Sequence, residues 1–316
     1  INGKAEVAED GLIHVNTKKF SYKLKYKNLI LAMGSRPASL PIKGADHPDI
    51  LTSTEMLALD SVPESLVIIG GGVIGMEFAF IYRALGAEVS VVEFAPQILP
   101  VLDPDVVEVI RDSALEKGIK IYEGAMAKAI TDTLDASKLL EVEIDGETTH
   151  ICAEKIAMAV GRKANLDSLD LSKLGVELVE KKNGIKVDAC MRTNVEGVYA
   201  IGDVTNIMQL AHVASHQGIV AVDNIVGNES KMDYSAVPSA VFTVPEVGNV
   251  GLGEKEASLQ GKEIIISKFP FMANGKAIAM GESNGFVKLI ADKETKTILG
   301  GSVVGPHATD LLAVIG

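Results

Sequence analysis

Cysteine is scarce in this chain: among 316 residues there are two, Cys152 and Cys190. They stand far apart and belong to no C-x-x-C or comparable close pair, which excludes a redox pair made by neighbouring cysteines. Both are read as small buried thiols, with neither placed beside a Lys, a His or a helix N-terminus that would make it a nucleophile. Long hydrophobic runs are lacking as well. The apolar stretches are short and broken by glycine, below the roughly 18 residues a membrane span needs, and no charged, apolar, small-residue leader opens the chain. Positive charge is also in short supply: 30 Lys and Arg against 42 acidic residues leave a net charge of −12. With no basic cluster to offset it, nucleic acid and anionic membrane are poor partners. The expectation is a soluble, intracellular protein, cytoplasmic or, in a eukaryote, of the mitochondrial matrix.

What is present points to ordinary globular packing. Hydrophobic residues make up 47% of the chain, and the length predicts two or three domains, each with its own core. The opening alternates as strands do, with a turn predicted at Asp10 and Gly11, and "YKNLILAMGSRP" rises into a buried strand. From Ser65 the pattern runs strand, glycine-rich turn, helix (about Gly75 to Leu85), strand (Glu88 to Val92), helix (about Pro104 to Lys117), strand (Ile119 to Tyr122). That order predicts an α/β fold, a parallel sheet with helices on both faces. Leu139 to Ile144, Asp145-Gly146 and Thr148 to Cys152 read as a hairpin, because Asp-Gly accepts the positive φ angles of a tight primed turn. After "KIAMAV" and a loop-like stretch, "NVEGVYAIGDV" supplies a buried strand ending in Gly202-Asp203, followed by a helix from about Leu210 to Val226. The last third reads as α+β, with one helix (Glu254 to Gln260), hairpins near Gly275 and Asp292-Lys293, and the apolar helical pattern "ATDLLAVIG".

Gly70-Gly71-Gly72-Val73-Ile74-Gly75 satisfies G-x-G-x-x-G directly after the strand "LVII" and opens a helix. Gly70 makes the tight turn, Gly72 lets backbone approach a pyrophosphate, Gly75 allows close helix–strand packing, and the helix N-terminus offers oriented N–H groups to the anion. Glu93 ends the next strand, where a carboxylate accepts from both adenosine ribose hydroxyls and repels a 2′-phosphate. "EFAPQILP" has no Arg or Lys to welcome one, so NAD(H) is preferred over NADP(H). A solvated strand end is the plainer alternative for Glu93. Asp203 emerges at the end of a buried strand, the usual ligand position in open α/β sheets; taken alone it serves equally as a turn or cap residue.

The ordered set "LAMGSRP", "GGGVIGMEFA", "VGRKANL", "TNVEGVYAIGDV", "LAHVASHQG" and "FTVPEVGNVG" resembles the pyridine nucleotide-disulfide oxidoreductases, most closely the branch that reoxidises a dihydrolipoyl group, over essentially the whole chain. The resemblance implies Rossmann-like FAD- and NAD-binding domains plus a C-terminal α+β dimerisation domain. It implies that Asp203 holds a ribityl hydroxyl of FAD and that Gln209, Leu210, Ala211 and His212 bring a helix N-terminus to the flavin pyrimidine edge. Met33, Gly34 and Ser35 would pass close to FAD and Ala5 would contact the adenine, while Gly161 and Ala127 would line the NAD site. Glu77 would face the nicotinamide and flavin junction. Ala164 replaces the family's usual Pro, Lys276 its common Arg and Met33 its usual Thr. His212 and His216, at i and i+4, are read as ordinary helix histidines because no third metal ligand accompanies them, and His307 as a surface residue.

The resemblance divides the chain into a second part of the FAD-binding domain (1–37), an NAD-binding domain (38–160), a return segment of the FAD-binding domain (161–231) and an incomplete interface domain (232–316). It also implies that a first FAD clamp and a redox cysteine pair precede Ile1, and that a His-Glu pair follows Gly316. The expected parent activity interconverts dihydrolipoamide with NAD and lipoamide with NADH, serving the lipoyl group of a 2-oxoacid dehydrogenase or glycine cleavage complex as a homodimer. The chain as written is expected to hold FAD weakly and to contain no catalytic residue for the thiol steps and no metal site. A mercuric or coenzyme A disulfide reductase or an NADH oxidase remains the alternative of the same class. A module that only binds NAD and dimerises is the non-enzymic one.

Overall fold

The computed structural model describes residues 1–8, 12–134, 137–181 and 183–316; the turn expected at Asp10 and Gly11 lies outside them. The chain forms two compact units, Ile1–Arg36 with Arg162–Tyr234, and Pro37–Gly161 with Ser235–Gly316.

In the first unit the strands Lys4–Val7, Ile13–Asn16 and Ser21–Leu24 make an antiparallel sheet. Leu29–Leu31 pairs in parallel with Val198–Ala200. The second of these strands is fully buried, as its unbroken apolar sequence predicts. The first is not: Leu31 is buried but Leu29 and Ile30 are half-exposed. Leu31, Ile185, Val198, Ala200 and Val204 form the small core. Beside it runs the helix Ala211–Val226, whose inner stripe is Val213, Gln217, Val220, Ala221 and Asn224.

The second unit holds a five-stranded parallel sheet in the order Ile50–Leu51, Lys155–Met158, Ser65–Ile69, Glu88–Val92, Lys120–Tyr122. The helices Val73–Ala84 and Pro104–Glu116 both pack on one face, where Met76, Ala79, Val107 and Ile110 meet Ile68, Val89 and Val91. The expectation of helices on both faces is corrected here. The opposite face, with Val67, Val92 and Ile156, is covered by a three-stranded antiparallel sheet through Ile130, Leu140 and Val142. The reason is local: after Tyr122 the chain enters the alternating strands Met126–Asp132, Lys138–Ile144 and Glu147–Ala153 instead of a helix. Asp145 (φ 53°) and Gly146 (φ 83°) close the expected hairpin as a primed turn.

The C-terminal part of this unit is an antiparallel sheet in the order Pro238–Val241, Glu246–Gly251, Ile298–Gly305, Phe286–Asp292, Ile264–Pro270. Its Val241, Val247, Phe286 and Val304 join the core of the parallel sheet's helical face. The hairpin expected near Gly275 is instead the helix Gly275–Met280, started by the Asn274 carboxamide, which accepts the Lys276 and Ala277 N–H groups. Asn-Gly reads as a turn by its dipeptide, but Asn is also a strong N-cap, and the helix-forming Lys-Ala-Ile-Ala-Met that follows decides for helix. No helix among the described residues is long and apolar enough to cross a membrane.

Candidate functional site

The glycine loop connects Ser65–Ile69 to the helix Val73–Ala84, and its residues are held by contacts that exclude side chains. Gly70 has φ 104°, and a Cβ there would lie 2.5 Å from the Ala159 carbonyl oxygen. A Cβ on Gly75 would lie 1.9 Å from the Gly70 carbonyl oxygen; only glycine lets the helix start this close to the turn. Gly72 differs. It is the helix N-cap in extended conformation, and a Cβ on it would meet no protein atom within 4 Å. Its bareness therefore serves no internal packing, and leaves room for a group that approaches the first-turn N–H donors of the helix from outside.

Glu93 closes the loop from the end of the neighbouring strand. One carboxylate oxygen accepts the Gly71 N–H at 2.6 Å and the other accepts the Ala95 N–H at 2.7 Å. The half-buried carboxylate is thus oriented by two backbone donors and keeps further lone pairs for hydroxyl donors. Ala125 donates its N–H to the Glu93 carbonyl at 2.8 Å, which brings the start of Met126–Asp132 beside the same strand end. Ala127 is buried in that strand next to a bulge, so only its backbone is available to a ligand. Gly161 is exposed with φ 99°.

Glu77 lies one turn into the glycine-loop helix and accepts the Phe242 N–H at 2.9 Å. Burial pushes its carboxyl above the ordinary carboxylate range, and the Phe242 N–H offsets this in part.

In the first unit three segments converge on one hydroxyl. Ser35 Oγ donates to Asp203 Oδ2 at 2.5 Å and accepts from Arg162 Nε at 2.7 Å, and Arg162 Nη2 donates to the Ser35 carbonyl at 3.0 Å. Asn165 donates to the Met33 carbonyl through its side chain at 3.2 Å and to the Gly34 carbonyl through its N–H at 2.9 Å. Gly34 takes φ 67°, which a turn at this point requires of it. Asp203 sits in the short 3₁₀ segment Gly202–Thr205. The Gly202 N–H donates to Gln217 Oε1 at 2.5 Å, and Gln217 in turn donates to the Tyr234 hydroxyl at 2.9 Å. Sequence reasoning quoted the segment containing Arg162 without giving it a role, and it missed Gln217. The signal for Gln217, as for Asn224, is a polar residue on the buried stripe of an amphipathic helix.

Gln209 donates to the Asn206 side chain at 3.1 Å, and Leu210, which has no polar side chain to cap the helix, precedes Ala211 and His212 in its exposed first turn. His216 is exposed on the same helix. Ala5 is an exposed member of its antiparallel sheet. His307 is exposed, with Nδ1 3.8 Å from Asp310.

Residues 3–218 match the family described as Pyridine nucleotide-disulphide oxidoreductase, and residues 237–316 match its dimerisation domain. The chain belongs to the pyridine nucleotide-disulphide oxidoreductases. It is 44% identical over 294 residues to the dihydrolipoyl dehydrogenase of Chlamydia muridarum, covering 92% of this chain and 62% of that protein. It is 41% identical over 294 residues to the dihydrolipoyl dehydrogenase of Bacillus subtilis, covering 92% of this chain and 61% of that one. The chain thus spans about three-fifths of the length of these relatives. Among solved structures of the same architecture, the HOCl-induced flavoprotein disulfide reductase RclA from Escherichia coli, in its Cu(II) complex, has a TM-score of 0.89 at 26% identity, over 99% of this chain and 70% of that one. LpdA from Mycobacterium tuberculosis has a TM-score of 0.86 at 31% identity, over 96% and 66%. FAD and NAD are the cofactors of the family. The open approach at Gly72, beside the donor-oriented Glu93, suits the diphosphate and ribose of NAD. The Ser35-oriented Asp203 carboxylate suits a polyol such as the ribityl chain of FAD.

One expectation about cysteine is corrected. Cys190 is buried, but Cys152 is exposed, because Ile151 takes the inward register of its strand against Leu140 and turns its neighbour out. Cys152 also shares a cavity with Lys120 and His150. Asp103, Asp105 and Glu254 form an acidic cluster of the kind that can hold a cation. Here the cation is Lys288, fully buried, whose ammonium donates to all three at 2.7–2.8 Å.

Proposed function

We propose that this chain carries the NAD-binding part and flavin-facing segments of a dihydrolipoamide dehydrogenase, which with FAD and NAD interconverts dihydrolipoamide and lipoamide. The observation that carries the reading is the glycine loop, whose Gly72 is bare for no internal reason, with Glu93 fixed beside it by the Gly71 and Ala95 N–H groups. Residues 70–75 hold the NAD diphosphate on the helix N-terminus, and Glu93 accepts the adenosine ribose hydroxyls and repels a 2′-phosphate. Glu77, with its raised affinity for a proton, stands on the nicotinamide side of the loop.

On the flavin side, Asp203 accepts a ribityl hydroxyl while Ser35 and Arg162 fix its orientation. The segment 209–212 directs a helix N-terminus toward the pyrimidine edge, where its dipole favours negative charge; Met33, Gly34 and Ala5 line the approach, and Gly161 and Ala127 offer backbone to NAD. FAD, when bound, supplies the two-electron chemistry between nicotinamide and disulfide. The partners of the whole protein are a second copy, through the dimerisation domain, and the lipoyl group of a 2-oxoacid dehydrogenase or glycine cleavage complex. The 40% class identity to proteins named dihydrolipoyl dehydrogenase supports this substrate over other disulfides.

The experiment is calorimetric titration of the chain with NADH and NADPH. Tighter binding of NADH supports the reading, and loss of that preference in Glu93→Ala supports the role of the carboxylate. Absence of nucleotide binding by the folded chain would overturn it.

A further inference from the structure

Two polar side chains lie on the buried stripe of the helix Ala211–Val226, Gln217 and Asn224, and their hydrogen bonds go to different places. Asn224 Nδ2 donates to the carbonyls of Val220 and Ser230, and its oxygen accepts from Arg192; it ties down the C-terminal end of its own helix. Gln217 is fully buried and bonds outside the helix: Oε1 accepts the Gly202 N–H, and Nε2 donates to the Tyr234 hydroxyl. Burying a carboxamide costs free energy even when it is paired. An aliphatic residue would fill the stripe without that cost, so the contribution of Gln217 lies in what it holds.

What it holds is the turn that carries Asp203. Gly202 is buried just past the end of the strand Val198–Ala200, and its N–H reaches its acceptor in Gln217. The Gly202 carbonyl accepts the hydroxyl of the buried Thr205 at 2.8 Å, and the Asp203 carbonyl accepts the Asn206 N–H at 3.0 Å. The backbone on both sides of Asp203 is therefore fixed. Rotation of its side chain remains, and Ser35 restricts that through Oδ2, which leaves Oδ1 for a ligand hydroxyl. Tyr234 is half-buried at the last position of the first unit. By accepting from Nε2, its oxygen keeps Oε1 turned toward Gly202.

We propose that Gln217 is a positioning residue of the polyol site: through the Gly202 N–H it sets the Asp203 carboxylate for a ribityl hydroxyl of FAD, and Tyr234 holds the carboxamide in the orientation that does so. The inference rests on the flavin reading above, in which Asp203 is the group that touches FAD; Gln217 and Tyr234 act through it. Without the carboxamide, the buried Gly202 N–H loses its acceptor and the turn shifts to find another. Asp203 then meets the polyol in a spread of orientations, and ordering it falls to the ligand.

The test is a double-mutant cycle on FAD affinity, read by flavin fluorescence, with Gln217→Met, Asp203→Ala and the pair. Asp203→Ala should weaken FAD roughly tenfold and Gln217→Met roughly fivefold. The double variant should be no weaker than Asp203→Ala alone, because the effect of Gln217 passes through Asp203. Tyr234→Phe loses only the phenol oxygen; it should weaken FAD by less than Gln217→Met and have no effect in the Asp203→Ala background. It is also the variant to read should Gln217→Met fail to fold. NADH affinity should be the same in every variant, since residues 70–75 and Glu93 belong to the other unit. A Gln217→Met loss that adds in full to that of Asp203→Ala, or an unchanged FAD affinity in both Gln217→Met and Tyr234→Phe, would overturn the inference and leave the flavin reading standing. An FAD affinity untouched by Asp203→Ala, or no FAD binding by the unaltered chain, would overturn the flavin reading and the inference with it.

Discussion

Glu93 and Gly71 are joined by a 2.6 Å hydrogen bond from the glycine N–H to the carboxylate. On the reading proposed above, the carboxylate that would accept the ribose is thereby tied to the loop that would receive the diphosphate, so a change in one is felt by the other. Glu93→Gln keeps the shape but removes the charge and one acceptor. A charge-assisted bond is worth about 1.5–3 kcal/mol, so NADH affinity should fall about tenfold or more. NADPH affinity should fall less, because a repulsion is lifted at the same time. Titration of both nucleotides against both proteins checks this.

The glycines of the loop should separate into two kinds. Gly75→Ala places a methyl where the Gly70 carbonyl oxygen would be 1.9 Å away, and should lower the melting temperature sharply. Gly72→Ala meets nothing within 4 Å and needs no positive φ, so stability should change little while NADH binding is lost. Thermal melts beside nucleotide titrations distinguish packing from ligand approach. Two variants equally stable and equally impaired would show that Gly75 is not needed for packing.

Ser35 should matter to flavin more than to folding. Ser35→Ala removes both the hydroxyl that Asp203 accepts and the acceptor of Arg162 Nε. At about 1.5 kcal/mol for a bond to a charged group, FAD association should weaken roughly tenfold, as read by flavin fluorescence. Arg162→Met should act in the same direction, by loosening Ser35.

The Lys288 cluster gives a pH dependence of known sign. Burial alone would lower the Lys288 pKa, but hydrogen bonds to Asp103, Asp105 and Glu254 outweigh it, and the net shift is upward from 10.5. Asp105 is also desolvated, yet Lys288 and Lys268 hold it below 3.8. The stability from Lys288 is therefore complete below 10.5 and is lost as pH rises through its folded value. The stability from Asp105 is complete above 3.8 and is lost as pH falls through its folded value. Lys288→Met removes the cation shared by the three carboxylates, leaving only Asp105 with a second one, Lys268, and should cost about 3–5 kcal/mol near neutrality. This variant should gain more stability on mild acidification than the wild type does. Denaturant melts across that pH range measure both slopes.

Much of this was legible because local chemistry and fold agree. The strand, glycine loop, helix and acidic strand end each carry their own signal, and Asp145-Gly146 names its own turn. The lysine at 288 was legible in principle: Phe286, Lys288 and Ile290 share the buried register of one strand, and a lysine there requires carboxylates. Which carboxylates could not be read, since Asp103 and Asp105 are far away in sequence. Cys152 was misplaced because residue type argued for burial while register, set by Ile151 against Leu140, argued against it. The meander covering the sheet was visible as strands, but nothing in a strand's own sequence says which face of another sheet it will cover.

The most direct measurement is the affinity of the unaltered chain for NADH and NADPH at one ionic strength. A carboxylate fixed by the Gly71 and Ala95 N–H groups at the strand end should make NADH the tighter ligand by at least about tenfold, or 1.4 kcal/mol. Equal affinities, or tighter binding of NADPH, would contradict the assignment of residues 70–75 and Glu93 as an NAD site.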